Sequence, residues 1–308
     1  MERERERGRM MDYTIREQFA MVALDGQDST HNTLAKKAAV IGMAAADILQ
    51  DLLAEGEQKD IDEFKRCLVE QLQKIKKMNG KERRIVEEEM VSILKAEKVL
   101  EEIPNLLGCD MNYYTAKVTM REYKSDEGVY QKITESIRAI ILEPGEVPEE
   151  TVAILWLFRE CGCMHDIFSI EEQQKVEVRI IELSAENPLY KIILEQEFHS
   201  GVREAYLKLL SWKRNLFKNP YLEGINLLFP FFDRRQSIFI DMVILGTTVG
   251  DRRRNAVQFL RDNGHSCEEL RIGSETLVKI DNGYYRIWPT TRSCKVPIQG
   301  VELLPVYR

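Results

Sequence analysis

Val147–Phe168 reads VPEETVAILWLFRECGCMHDIF, and its middle, Val152–Phe158, is apolar on every side. A helix with no polar face has to be buried all round. Its ends are marked as well. Pro148 suits a first helical position, Glu149 and Glu150 favour the positive end of the helix dipole, and Gly162 can stop the helix. The stretch therefore predicts the central helix of a helical body, and the rest of the chain has to supply its wrapping.

Amphipathic segments lie on both sides of it. Ile15, Phe19, Val22 and Ala23 recur at helical spacing in Thr14–Leu24, and Ala38, Ile41, Ala45, Ile48 and Leu52 line one side of Leu34–Leu53. The alanines and Gly42 there are small enough to let another helix come close. Ile61–Met78 and Ile85–Ile103, joined at Asn79-Gly80 and stopped by Pro104, predict an antiparallel helical hairpin whose Lys- and Glu-rich faces point to water. Leu106–Lys124 is ambiguous, because Tyr113, Tyr114, Thr115, Val118 and Thr119 favour a strand while the flanks lack clean turns. Helices are expected again at Val129–Leu142, Ile170–Leu183 (capped by Ser169 with Glu172), Leu189–Phe198 and Val202–Phe217.

At Asn219-Pro220 the texture changes. Ser237–Leu245 is a β-rich run, Gly246–Gly250 a glycine-bounded loop, and Asp251–Asn263 a helix ended by Gly264. Cys267–Ile272, Thr276–Ile280, Tyr284–Trp288 and Val301–Val306 read as short strands, with Asp281-Asn282-Gly283 as a hairpin turn. The expected architecture is mainly α, a multi-helix body with a small C-terminal α+β (β-α-β-β-β) module. Its divisions are a flexible tail at 1–12, the body at 13–219 and the module at 220–308.

Composition narrows the function classes. The chain has 308 residues, 44% of them apolar and 31% charged, as in globular proteins. No apolar run approaches the roughly 20 residues that cross a bilayer, and MERERERGRM is no signal peptide, so a cytoplasmic protein, at most peripheral at a membrane, is expected. Six cysteines then read as reduced thiols. The net charge of −7 is uneven: residues 220–308 carry 12 Lys and Arg against 10 Asp and Glu, leaving the remainder at −9. An acidic body repels nucleic acid, and any face that attracts anions is expected toward the C-terminal part.

Motifs of catalysis are missing. His31, His165, His199 and His265 lie in no catalytic signature, and Cys161 and Cys163 sit in apolar sequence. Cys161-x-Cys163-x-His165 lacks the second ligand pair of a structural zinc site. The expectation is a non-enzymatic protein with no metal and no cofactor. The cationic patch is Arg234, Arg235, Arg252, Arg253 and Arg254, preceded by Phe229, Phe231 and Phe232. Basic groups beside aromatics suit an anionic membrane surface, so Phe231, Phe232, Arg234, Arg235, Arg252, Arg253 and Arg254 are the expected contact residues.

Thr14–Gln27 (TIREQFAMVALDGQ), Ala45–Gly56 (AADILQDLLAEG) and Val147–Phe168 together resemble the Golgi phosphoprotein (GOLPH-type) family over roughly residues 14–217. The resemblance implies a mostly helical peripheral membrane protein that binds phosphatidylinositol 4-phosphate through an aromatic and arginines and acts as a trafficking adaptor. On that alignment Lys36 stands where the family has its tryptophan and Ala45 where it has a pocket arginine, so the headgroup site is not matched residue by residue.

The functional expectation is thus an adaptor that meets an anionic membrane surface or a partner protein. Two alternatives are a sensor holding a phosphorylated small ligand at Gly246–Gly250 and Arg252, and an assembly factor that oligomerises through Phe229–Phe232.

Overall fold

The computed structural model describes residues 13–29, 34–55, 60–117, 119–197, 235, 237–241, 248–272, 276–293 and 297–306. The expected tail 1–12, the expected helix Val202–Phe217, and Phe229–Phe232 with Arg234 lie outside them. Among the described residues the protein is mainly helical, with a C-terminal five-stranded antiparallel sheet.

The quoted stretch forms α7, Glu149–Cys161, against which the helices Ile15–Leu24, Leu34–Ala54, Glu127–Leu142 and Pro188–Leu194 are packed. Every residue from Thr151 to Phe158 is buried, and Trp156 has no exposed surface. Pro148 is the N-cap, Glu149 and Glu150 fill the first turn, and Gly162 ends the helix in the left-handed conformation at φ 76°. Even the one polar atom of Trp156 is satisfied: its Nε1–H donates to the Gln196 carbonyl at 2.8 Å.

α1 (Ile15–Leu24) and α2 (Leu34–Ala54) cover one side of α7. Thr14 and Glu17 form a capping box at the start of α1. The approach between these helices depends on Gly42, where a β-carbon would come within 2.5 Å of the Phe19 ring and 2.7 Å of the Cys161 sulfur. α3 (Ile61–Lys76) and α4 (Gly80–Ala96) are the expected hairpin, with Asn79 and Glu82 forming the capping box of α4.

Here one expectation is corrected. α4 does not run to Ile103: it stops at Ala96, Lys98 turns the chain at φ 61°, and β1 (Leu100–Pro104) pairs antiparallel with β2 (Arg121–Ser125). Leu100 and Ile103 mimic helical spacing because both are buried in a strand whose two intervening glutamates face outward. The ambiguous Leu106–Lys124 resolves into a 3₁₀ turn (Leu106–Cys109), a short α5 (Met111–Thr115) and β2. α6 (Glu127–Leu142), α8 (Met164–Ile167), α9 (Ile170–Glu186) and α10 (Pro188–Leu194) complete the described helices of the body.

After residue 220, β3 (Ile238–Asp241), α11 (Val249–Asp262), β4 (Cys267–Arg271), β5 (Thr276–Ile280), β6 (Gly283–Ser293) and β7 (Pro297–Pro305) follow. The sheet order is β3-β7-β6-β5-β4, and its five strands fall on the five runs expected as strands, one more than the order β-α-β-β-β counts. Residues two apart share a face: Ile238 with Ile240, Val278 with Ile280, Tyr285 with Ile287, and Val301 with Leu303. They pack with Ala256, Val257 and Leu260 of α11. Leu106 and Cys109 join the same apolar cluster from far upstream, so the sheet's core is not built from residues after 220 alone.

Candidate functional site

Two places hold more charge than folding requires: a buried junction between sheet and body, and an open groove on the body. The junction forms because the β5–β6 turn is buried, the reverse of what hairpin turns usually do. Asp281 sits at φ 53°, and Asn282 Nδ2 donates to Asp25 Oδ2 and to the Ser125 carbonyl, both at 2.8 Å. Asp25 Oδ2 also accepts from the Ser125 amide at 2.9 Å. Beside this turn His265 Nδ1 lies 2.8 Å from Asp281 Oδ2, while Asp281 Oδ1 accepts from the amide and hydroxyl of Ser266.

Arg235 belongs to this interior. Its side chain is 8% exposed, 3.4 Å from Asp166 and 4.0 Å from Asp25, and it lies against the face of Gly283 where a side chain would collide with it. Burial works against its charge, but Asp166, Tyr130, Tyr285 and Asp25 hold it more firmly protonated than a free guanidinium. The expectation that Arg235 meets a membrane is corrected, since its cation is spent on internal carboxylates. A void of about 30 Å³ borders Arg235, Asp166 and Asn282, room for roughly one or two waters.

Around the turn the carboxyls diverge. Burial first, then Asp281 and Asp25, push Glu122 well above the usual carboxylate range, against the Leu106 amide and Arg235. Asp281 is also buried, yet His265 and Ser266 hold it below its ordinary value. Burial raises the nearby thiols, Cys109 to about 12 and Cys267 to about 11, so neither is an activated nucleophile.

The other expected contacts are placed as follows. Arg252, Arg253 and Arg254 lie in the first turns of α11. Arg254 pairs with Asp251; Arg253 sits 3.4 Å from Glu269 and donates to Thr276 at 3.2 Å. Residues 242–247 are outside the described set, but Thr248 and Asp251 form a capping box that occupies amides at the start of α11. Two of the helix-end amides that a phosphate at Gly246–Gly250 would use, those of Thr248 and Asp251, are thereby taken. Cys161 and Cys163 are buried, and the Cys161 thiol donates to the Ala38 carbonyl at 3.4 Å.

The open groove lies between α2 and α4 and was not expected. It encloses about 720 Å³, with Val40, Val91 and Tyr123 at its floor and Lys36, Lys37, Arg83, Arg84 and Lys95 around it. Three of these cations have carboxylates: Lys36 with Glu87 at 2.7 Å, Arg84 with Glu88 at 2.6 Å, and Lys95 with Glu102 at 3.0 Å. Tyr123 donates to Glu87 at 3.2 Å, and Lys95 stands 5.9 Å over its ring. Burial and then Glu87 raise the Tyr123 phenol, while the Lys95 hydrogen bond keeps Glu102 ionised to lower pH.

Among the described residues Lys37 and Arg83 pair with no carboxylate; Arg83 donates only to the Met78 carbonyl. Arg83 and Arg84 also stand near the N-terminus of α4, where the helix dipole disfavours cations and welcomes anions. Two basic doublets, Lys36-Lys37 and Arg83-Arg84, are far apart in sequence, and the Lys- and Glu-rich faces around them read as solvated surface. Only their spacing on two adjacent helices could have revealed the groove. Compared with known proteins, the chain matches no family model, no curated protein and no solved structure.

Proposed function

We propose that the protein is a non-enzymatic binding protein that holds an anionic headgroup in the α2–α4 groove and attaches reversibly to an acidic membrane surface. The supporting observation is the surplus of two cations in a cavity of about 720 Å³, a size suited to a small ligand. Lys37 and Arg83 supply direct charge; Lys36, Arg84 and Lys95 can exchange their carboxylates for a phosphate. No helix among the described residues is long and apolar enough to cross a membrane, so attachment through such a site would be peripheral. The resemblance to the Golgi phosphoprotein family favours the same class of ligand. A cytoplasmic, adaptor-like role at the membrane face belongs to this proposal.

Co-sedimentation tests it, with phosphatidylcholine vesicles compared against vesicles that also carry phosphatidylinositol 4-phosphate or phosphatidylserine. Acidic vesicles should bind the protein and release it as salt rises. The double variant Lys37→Gln, Arg83→Gln should weaken binding roughly 30-fold, at about 1 kcal/mol per basic group near the surface. Equal binding to neutral and acidic vesicles would remove the reading. Binding of soluble inositol phosphates without vesicle binding would favour the sensor of a phosphorylated small molecule.

A further inference from the structure

α9 carries two apolar faces, and the body covers only one of them. Val176, Ile180 and Leu183 are buried where α9 packs on α6 and α10. On the far side Gln174, Val178, Ile181 and Ala185 are exposed. Val178 is 57% exposed and Ile181 70%, the highest value of any large apolar residue among those described. Their spacing of four, three and four residues lines all four up along one stripe of the helix. It is also the spacing of a coiled-coil seam, with Val178 and Ala185 at a positions and Gln174 and Ile181 at d.

The charges beside the stripe decide what can cover it. In the same register Lys175 and Glu182 take the flanking e positions, and Glu177 and Ser184 the g positions. A second copy laid parallel would set Glu177 of each chain against Glu182 of the other, two repulsive contacts. Laid antiparallel, Val178 meets Ile181 and Gln174 meets the small Ala185. Lys175 then stands beside Glu182 of the second copy and Glu177 beside Ser184, each contact occurring twice by the two-fold axis. Glu182 is 3.1 Å from Arg179 of its own helix, yet its side chain is 52% exposed and open to a second cation. An acidic bilayer is a poor alternative cover, because Glu171, Glu177, Glu182 and Glu186 border the stripe.

We propose that α9 pairs antiparallel with α9 of a second copy of this chain, in a two-fold dimer whose seam is Gln174, Val178, Ile181 and Ala185. One helix of 17 residues from each chain makes an interface at the small end of the specific range, so the dimer is a weak one that forms as concentration rises. The pairing is independent of the α2–α4 groove and of what the groove holds.

Sedimentation equilibrium of the full chain at low salt tests it, over about 5 to 500 µM. The wild-type mass should rise from one chain toward two, and Ile181→Glu should stay at one chain throughout. Lys175→Glu and Glu182→Lys should each weaken the dimer roughly tenfold by putting like charges together twice. An equimolar mixture of those two variants should dimerise as well as the wild type, because each chain then offers the other the opposite charge at both contacts. These side chains face water, so the variants should melt as the wild type does at low concentration. A single chain at every concentration would overturn the proposal. So would an Ile181→Glu dimer as tight as the wild type, or a mixture no tighter than its separate components.

Discussion

The protein has two interiors built on opposite terms. Around α7 the packing is dry: Trp156, Phe158, Phe19 and Leu155 have no exposed surface, and the Phe19 and Phe158 rings meet at 5.7 Å. Around Arg235 it is polar, with four carboxylates, a histidine and an asparagine amide buried together where the sheet meets the body. Apolar burial is non-directional and tolerates small shifts, whereas each buried polar atom needs a partner at one distance and angle. The first interior holds helices together; the second fixes where the sheet must sit.

Truncations at the two interiors should therefore fail differently. Trp156→Ala should cost about 4 kcal/mol in chemical denaturation, through a cavity in the centre and loss of the bond to Gln196. Trp156→Phe should recover much of that, because volume matters there more than pattern. Arg235→Ala should cost about 3 kcal/mol by leaving Asp166 and Asp25 facing each other without their cation. Arg235→Lys should not restore it fully, since the ammonium of the shorter lysine side chain falls short of Nη2, the nitrogen that faces both carboxylates. If the lysine variant matches the wild type, the contrast between the two interiors is wrong.

Smaller effects sharpen the comparison. Asn282→Ala should cost about 2 kcal/mol and loosen the sheet first, read as faster hydrogen exchange in β5 and β6 than in α7. Uniform loosening would mean that the turn does not hold the junction. The smallest effect is a pH dependence. Hydrogen bonds from the Arg138 Nε and Nη2, with one from the Ser169 amide, hold Glu172 down at about 2. Because the folded value lies below the ordinary one of about 4.3, that stability is present above pH 4.3 and lost as pH falls toward 2. Glu172→Gln should flatten this acid limb by about 1 kcal/mol in urea melts taken across that range.

The dry interior was legible in the sequence because its signal is local. Val152–Phe158 declares its burial in seven consecutive letters, and α1, α2 and α3 show their faces at a spacing of three or four. β1 was not legible, because Leu100 and Ile103 repeat the helical spacing of Ile93 while the turn depends on a single left-handed residue, Lys98. Neither charged site was legible. The junction gathers residues 25, 122, 166, 235, 265, 281 and 282, and the groove joins Lys36-Lys37 to Arg83-Arg84; no window of sequence contains either set. The arginine runs drew attention to residues 234–254 because neighbours in sequence are easy to see. Arg235 proved internal, and on α11 Arg253 and Arg254 are paired with Glu269 and Asp251.

The claim that anion binding resides in the helical body rather than in the C-terminal arginines is tested most directly by two charge-removal variants on acidic vesicles. One is Lys37→Gln with Arg83→Gln in the groove; the other is Arg252→Gln with Arg253→Gln and Arg254→Gln on α11. The account predicts that the groove variant loses most of its binding while the α11 variant keeps wild-type affinity. Retained binding in the groove variant together with lost binding in the α11 variant would contradict it.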